Sequence, residues 1–290
     1  MKSFLSLLGE TFRQWSAHRV PRMGAALSFY TIFSLAPLAV LILSLVSLVV
    51  ERNAARAEMV AQFRSLVGNE GAEMVEMILT RTAAANTGIW ATIIGFVVLL
   101  VGASSIFGEL QDSLNQIWGV STKRHPVFVL LKERVVSFVM VLVMSLLTLI
   151  LFLFSTVIAV VENYLHGLSP GLDGAWELGS SGLSLLVIAL LFALVFRAVP
   201  DARVAWKDVW PGALIAAVLF MLGKSVLGFY LGRSAIASAY GAAGSLIIIL
   251  VWVFYSAQIF FFGAEFTHVY ACRHGSQRDE DDSLKSAPLP

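Results

Sequence analysis

The chain has 290 residues, of which 58% are hydrophobic and 13% charged, and its mean hydropathy is +0.82. Soluble domains carry about 25% charged residues, so this chain cannot cover a compact body with charge, which nearly excludes a soluble globular enzyme. The net charge of +1 excludes the strongly basic balance of a dedicated nucleic-acid binder. The single cysteine, Cys272, excludes a disulfide framework and a cysteine-based zinc site.

Six segments are apolar enough to cross a bilayer, which requires about 20 mostly apolar residues. They are residues 23–50, 88–107, 135–161, 181–199, 209–231 and 244–269. Their length and continuous apolar character favour helices over barrel strands. The predicted fold class is therefore all-α: a polytopic membrane protein with six transmembrane helices plus short interfacial amphipathic helices, whose membrane domain covers residues 23–271.

The distribution of lysine and arginine predicts the orientation of these spans. Fourteen of the 20 basic residues lie in segments on the side that holds both termini, and five lie on the other side. Because cytoplasmic loops carry the excess of lysine and arginine, we expect both termini in the cytoplasm and an even number of membrane crossings.

Three segments outside the spans have their own patterns. Residues 1–22 place apolar side chains on one helical face, which predicts a cytoplasmic interfacial helix or, as the alternative, a packed helix cap without lipid contact. Residues 51–87 predict two short amphipathic helices that cover the outer mouth or rest on the headgroups. Residues 272–290 are acidic and predict a disordered cytoplasmic tail.

Polar side chains within or beside the spans mark a candidate site, because ionisable groups there are costly and face a cavity or a partner. Four of them reach a similar depth near the cytoplasmic surface, and Gln258 shares a face of span six with one of these. The set is Glu109, Asp112, Arg197, Gln258 and Glu265. We interpret it as a cytoplasmic-side polar gate or an ion or proton site. The alternatives are a structural network of salt bridges and hydrogen bonds that ties helices together, or simple solvation of these groups at the level of the headgroups.

Span one carries a comparable polar stripe. Tyr30, Ser34 and Ser44 recur along one face, and Pro37 within the stripe predicts a helix kink. Stripes on three spans predict a shared polar interior.

Lys224 lies deep in span five, where span six offers no acidic residue at the same level. It can snorkel to the outer surface, contact an aromatic ring, or face a cavity that admits an anion. We take Lys224 and Tyr230 as candidate contacts to an anionic headgroup or substrate.

No catalytic motif accompanies these residues. The five histidines give no metal-ligand spacing, the glycines form no nucleotide-binding loop, and no serine nucleophile motif occurs. We therefore predict no catalytic residues, no metal, no cofactor and no nucleic-acid partner; membrane lipids, including an anionic lipid, or a small solute are the expected partners.

Several sequence blocks resemble those of the YihY/virulence factor BrkB family, once labelled ribonuclease BN. The blocks are residues 24–38, 110–118, 211–213 with Gly223-Lys224, 250–258 and 263–265. The resemblance implies a six-span bacterial inner-membrane protein, and links to serum resistance, envelope lipid export or ion and solute movement. It transfers no catalytic residue.

The preferred hypothesis is a transporter or translocase for a lipid or a small solute or ion, with an envelope-related role. The alternatives are a membrane scaffold or virulence-associated protein without transport and, less favoured, a membrane-bound ribonuclease acting on tRNA. An enzyme is not expected, because no metal or acid–base motif supports the ribonuclease.

Overall fold

In the computed structural model every regular element among the described residues is a helix. The described residues are 2–46, 51–67, 69–84, 102, 105–120, 173–202, 204–233 and 244–277. The helices are α1 (Lys2–Ala17), α2 (Val20–Val46), α3 (Arg52–Val67), α4 (Asn69–Ala84), α5 (residues 105–117), α6 (Asp173–Ala198), α7 (Trp206–Arg233) and α8 (Gly244–His274). This confirms the all-α prediction for that part of the chain.

Three of these helices are long and apolar enough to cross a membrane. Their membrane-length stretches are Ser181–Ala198 in α6, Trp206–Leu227 in α7 and Leu246–His274 in α8. The predicted span 135–161, the tail from residue 278 and most of the predicted span 88–107 lie outside the described residues. Six spans remain a prediction.

The α-helical segments begin and end at residues that suit a helix terminus. Pro21 stands in the first turn of α2, where its missing N–H is not needed. Gly119 has a φ of 65° and closes α5, with the Val120 N–H donating to the Asn115 carbonyl at 2.9 Å and the Gly119 N–H to the Gln116 carbonyl at 3.2 Å. This is the Schellman pattern of helix ends.

Helix α8 is the centre of the described fold, because it packs against α7, α2, α1 and α4, while α6 packs against α7 and contacts α8 through the rings of Phe196 and Phe260. Small residues allow α7 and α8 to approach closely: a Cβ built on Gly212 would lie 2.5 Å from the Gly263 carbonyl oxygen, and one built on Gly263 would lie 2.6 Å from Ala216 Cβ. Small residues at helix interfaces are typical of membrane bundles.

The largest buried apolar cluster lies where α5 and α6 end, α7 begins and α8 ends. Leu114, Phe196, Val209 and Phe261 are fully buried there. The α1–α2 corner reaches the same cluster through Val20. This end of the bundle holds most of the polar residues considered next.

Candidate functional site

A histidine–glutamate pair, in which Glu265 is buried and the His18 side chain is 30% exposed, joins the α1–α2 corner to α8. His18 Nδ1 lies 2.7 Å from Glu265 Oε1, and Glu265 is fully buried within the membrane-length part of α8. The corner itself is tight, since Arg19 has a φ of 56° and its N–H donates to the Ser16 carbonyl at 3.1 Å. The left-handed turn at Arg19 thus brings His18 against the bundle.

The second oxygen of Glu265 and the whole amide of Gln258 are buried without a hydrogen-bond partner among the described residues. The amide of Gln258 lies against Gly24 of α2, so that a Cβ at Gly24 would collide with it. Buried polar atoms are nearly always satisfied. Two unsatisfied side chains on one helix, two turns apart, are therefore a feature that packing alone does not explain.

Beside this polar line runs an apolar groove of about 820 Å³ between α1, α7 and α8. Helix α1 contributes residues from Phe4 to Trp15 to one wall, and α7 contributes residues from Pro211 to Leu219. Along α8 the lining extends from Gln258 to Tyr270. We call this surface the lateral groove. Gln258 is the polar side chain at its far end.

Polar contacts hold α1 along the end of α8. Gln14 Oε1 lies 3.3 Å from His268 Nδ1, and Arg273 Nη2 lies 3.6 Å from Glu10 Oε2. Arg13 donates to Glu10 Oε1 at 2.6 Å. The hydrogen bond from Arg13 and the charges of Arg13 and Arg273 lower the pKa of Glu10 below its usual 4.5, although partial burial acts in the opposite direction.

Because its pKa is lower in the folded state, ionised Glu10 stabilises α1 above about pH 4.5, the ordinary glutamate value, chiefly through Arg13 within the helix and to a smaller extent through Arg273 of α8. This contribution is lost as the pH falls through the lower folded value. We expect Trp15 fluorescence to report acid-induced loosening of α1 in the wild-type protein and a smaller acid dependence in Glu10→Gln. Glu58→Gln, an exposed carboxylate on α3, should retain the wild-type profile. Identical profiles for all three proteins would contradict this role of Glu10.

The predicted gate residues are only partly brought together. Glu109 is half-buried on α5 and Asp112 is exposed one turn later. Arg197 Nη1 donates to the Val204 carbonyl at 3.0 Å, and its guanidinium carbon lies 4.8 Å from the Trp206 ring centroid. No ion pair within 4.0 Å joins Arg197 to the carboxylates of Glu109, Asp112 or Glu265, all of which are described. A gate formed by the whole set remains a prediction.

The other predicted contacts lie apart from this set. Lys224 is exposed on α7, with the exposed apolar residues Leu222 and Val226 on either side of it. Tyr230 belongs to α7 and Pro37 to α2, but their side chains lie outside the described residues. The headgroup contact at Lys224 and Tyr230 and the kink at Pro37 therefore remain predictions.

Sequence reasoning missed two residues that the fold brings to this end of the bundle. His18 was counted among scattered histidines, because its partner is 247 residues away. Asn115 donates to Asp201 Oδ2 at 2.7 Å, and its side-chain oxygen accepts from the Asp201 N–H at 2.8 Å. This two-point contact fixes the turn after α6, and Arg197 lies in the last turn of that helix.

Among the described residues, no group of three or more histidine, cysteine, aspartate or glutamate side chains could hold a metal ion. The long apolar helices and the polar line along α8 define an α-helical membrane protein. The chain belongs to the virulence factor BrkB family, whose model matches residues 11–287.

Curated relatives carry names that give no activity. The chain is 34% identical over 209 residues to a UPF0761 membrane protein of Verminephrobacter eiseniae. These residues make up 70% of this chain and 47% of that protein. A UPF0761 membrane protein of Pseudomonas paraeruginosa is 29% identical over 278 residues, which cover 93% of this chain and 64% of the relative. One from Vibrio cholerae is 34% identical over 212 residues, with coverages of 71% and 67%.

The chain thus spans about half to two thirds of the length of these relatives. No solved structure matches it.

Proposed function

We propose that this protein moves a lipid across the bacterial inner membrane along the lateral groove, as a six-span protein with both termini in the cytoplasm. The observation that carries this proposal is the combination of an apolar groove of about 820 Å³ with a buried, unpartnered amide at its far end. A small solute or ion is the second candidate cargo, favoured by the pair of His18 and the buried Glu265.

The length of the groove fits one acyl chain of one leaflet. Gln258 and Tyr270 are twelve residues apart on α8, which corresponds to about 18 Å at a rise of about 1.5 Å per residue. Half of a hydrocarbon core that is about 30 Å thick measures about 15 Å. A lipid whose headgroup lies level with Tyr270 would therefore lay its chain along the groove as far as Gln258.

The position of Gln258 favours passage over simple storage of a lipid. Gln258 lies near the middle of α8, at a depth where a resting lipid has only hydrocarbon. A headgroup that crosses the bilayer loses its water there, and an amide that offers both a donor and an acceptor lowers that cost. The amide lies against Gly24 of α2 and is itself buried, so a headgroup reaches it when α2 moves away from α8 at Gly24.

Filling the groove tests the proposal. Val218 lines the groove and Val226 does not, although both are exposed valines on α7. In vesicles reconstituted with fluorescent phospholipids, we expect Val218→Trp to slow transbilayer exchange by about tenfold, which equals about 1.4 kcal/mol in the barrier. Val226→Trp should exchange lipid at the wild-type rate.

Equal rates for both variants and the wild type would contradict a route through the groove. No exchange by the wild-type protein, for any lipid or ion offered, would instead support a scaffold without transport.

Incubation of the detergent-purified protein with tRNA precursors tests the ribonuclease alternative, which requires that the precursors are trimmed and that trimming is lost in Glu109→Gln.

A further inference from the structure

A second, polar pocket lies between α3 and α4, at the opposite end of the bundle from the lateral groove. Its volume is about 350 Å³, and its lining combines the polar residues Asn53, Arg56, Arg64 and Glu76 with the apolar residues Ala57, Val60 and Ala61. The two small alanines leave room for an occupant. We call this the hairpin pocket.

One of its arginines is already held in place. Arg56 Nη2 donates to the Thr80 hydroxyl and lies 3.7 Å from Glu76 Oε1. The Thr80 hydroxyl in turn donates to the Glu76 carbonyl at 2.7 Å. Glu76 balances the charge of Arg56, and both residues are anchored to α4.

The other arginine is not balanced. Arg64 lines the pocket, and it forms neither a hydrogen bond nor an ion pair with any part of the chain that the structure describes. Two arginines and one glutamate leave the lining with one net positive charge. A guanidinium binds phosphate oxygens with charge-assisted hydrogen bonds, and a phosphate diester carries the single negative charge that this lining lacks.

The pocket also lies at the level where membrane phosphates are found. Phe63, the residue before Arg64, packs against a buried cluster that includes Ile248 near the start of α8, and Leu227 near the end of α7 packs against the same cluster. Both positions lie at the ends of membrane-length stretches. Arg64 is therefore placed where the hydrocarbon gives way to headgroups.

We propose that the hairpin pocket binds a phosphate diester, supplied by a phospholipid headgroup or by a soluble glycerophosphodiester. The proposal goes beyond the lateral groove and does not depend on transport. Arg64 supplies the uncompensated charge, Arg56 is oriented for a second contact, and Glu76 limits the total charge to that of one diester.

Binding to the full chain, purified in a phosphate-free maltoside detergent, tests the proposal. The probes are glycerophosphoglycerol, followed by calorimetry, and phosphatidylglycerol, followed by native mass spectrometry. We expect Arg64→Gln to weaken binding by at least about tenfold, equal to about 1.4 kcal/mol. Arg13→Gln, which removes an exposed arginine from α1, should leave it unchanged.

The acidic side of the pocket gives a test of opposite sign. Glu76→Gln should strengthen binding, because it raises the net charge of the lining. Glu73→Gln should leave binding unchanged, because Glu73 is an exposed carboxylate on the same helix that does not line the pocket. If Arg64→Gln loses binding of phosphatidylglycerol, the ligand is a phospholipid headgroup. If it loses binding of glycerophosphoglycerol alone, the ligand is a soluble diester. Unchanged binding of both probes by Arg64→Gln would overturn the proposal, whether or not the protein moves lipid.

Discussion

Gly212→Ala is expected to destabilise the protein by about 1–3 kcal/mol, the usual cost of an added methylene in a packed interface. The new methyl group would collide with the Thr267 hydroxyl and would lie 2.5 Å from the Gly263 carbonyl oxygen and 2.9 Å from the Thr267 N–H. Two of these three neighbours are backbone atoms, so no rotamer change relieves the contact. The helices α7 and α8 must separate instead.

Thermal unfolding in detergent, followed by circular dichroism, measures this effect. Gly182→Ala is the matched control, because Gly182 is an exposed glycine of α6 and a Cβ there meets no atom within 4 Å. That variant should unfold at or slightly above the wild-type temperature, since alanine favours a helix over glycine. If Gly212→Ala and Gly182→Ala unfold at the same temperature, α7 and α8 do not pack closely at Gly212 in solution.

The same glycine shows what the sequence could and could not predict. Long apolar runs predicted the helices that contain Gly212 and Gly263, because burial in hydrocarbon leaves a compositional signal. Which glycine meets which backbone depends on the rotation of two helices about their axes, and nothing local in the sequence sets that rotation. Only the Pro211-Gly212-Ala213 block hinted at a special position.

Helix ends were predicted less well than helix cores. The sixth predicted span stops at residue 269, whereas α8 continues to His274 and its last turn carries Arg273 and His274. Hydropathy detects the part of a helix that lies in hydrocarbon, and a basic last turn is stabilised by the helix dipole instead. The predicted tail from residue 272 accordingly begins as helix.

The candidate site divides in the same way. Glu265 and Gln258 were predicted because a polar residue in an apolar run is conspicuous. His18 and Asn115 were missed, since their partners are distant in the chain and each residue is ordinary in its own segment. Tertiary contacts of this kind leave a signal only in the folded protein.

His18→Leu is expected to destabilise the protein by about 1–3 kcal/mol, the cost of leaving a buried polar group without its hydrogen-bond partner. Glu265 is fully buried, and its second oxygen already lacks a partner in the described part of the chain. The substitution would leave the carboxyl group without any partner there. Glu265→Gln should cost about 1 kcal/mol, because an amide oxygen can still accept a hydrogen bond at Nδ1.

The double variant His18→Leu with Glu265→Leu decides what the pair is for. Replacing both partners by apolar residues avoids an unpaired buried polar group, so the stability of the double variant should lie much nearer to the wild type than that of His18→Leu. His274→Leu, an exposed histidine at the end of α8, should change stability by less than about 0.5 kcal/mol.

If His18→Leu proves as stable as this control, the pair does not hold the α1–α2 corner against α8. If the double variant is stable but exchanges no lipid, the pair acts in transport, as a proton or ion site beside the lateral groove. If the double variant is stable and exchanges lipid at the wild-type rate, the pair only holds helices together, as the structural alternative to a gate predicts.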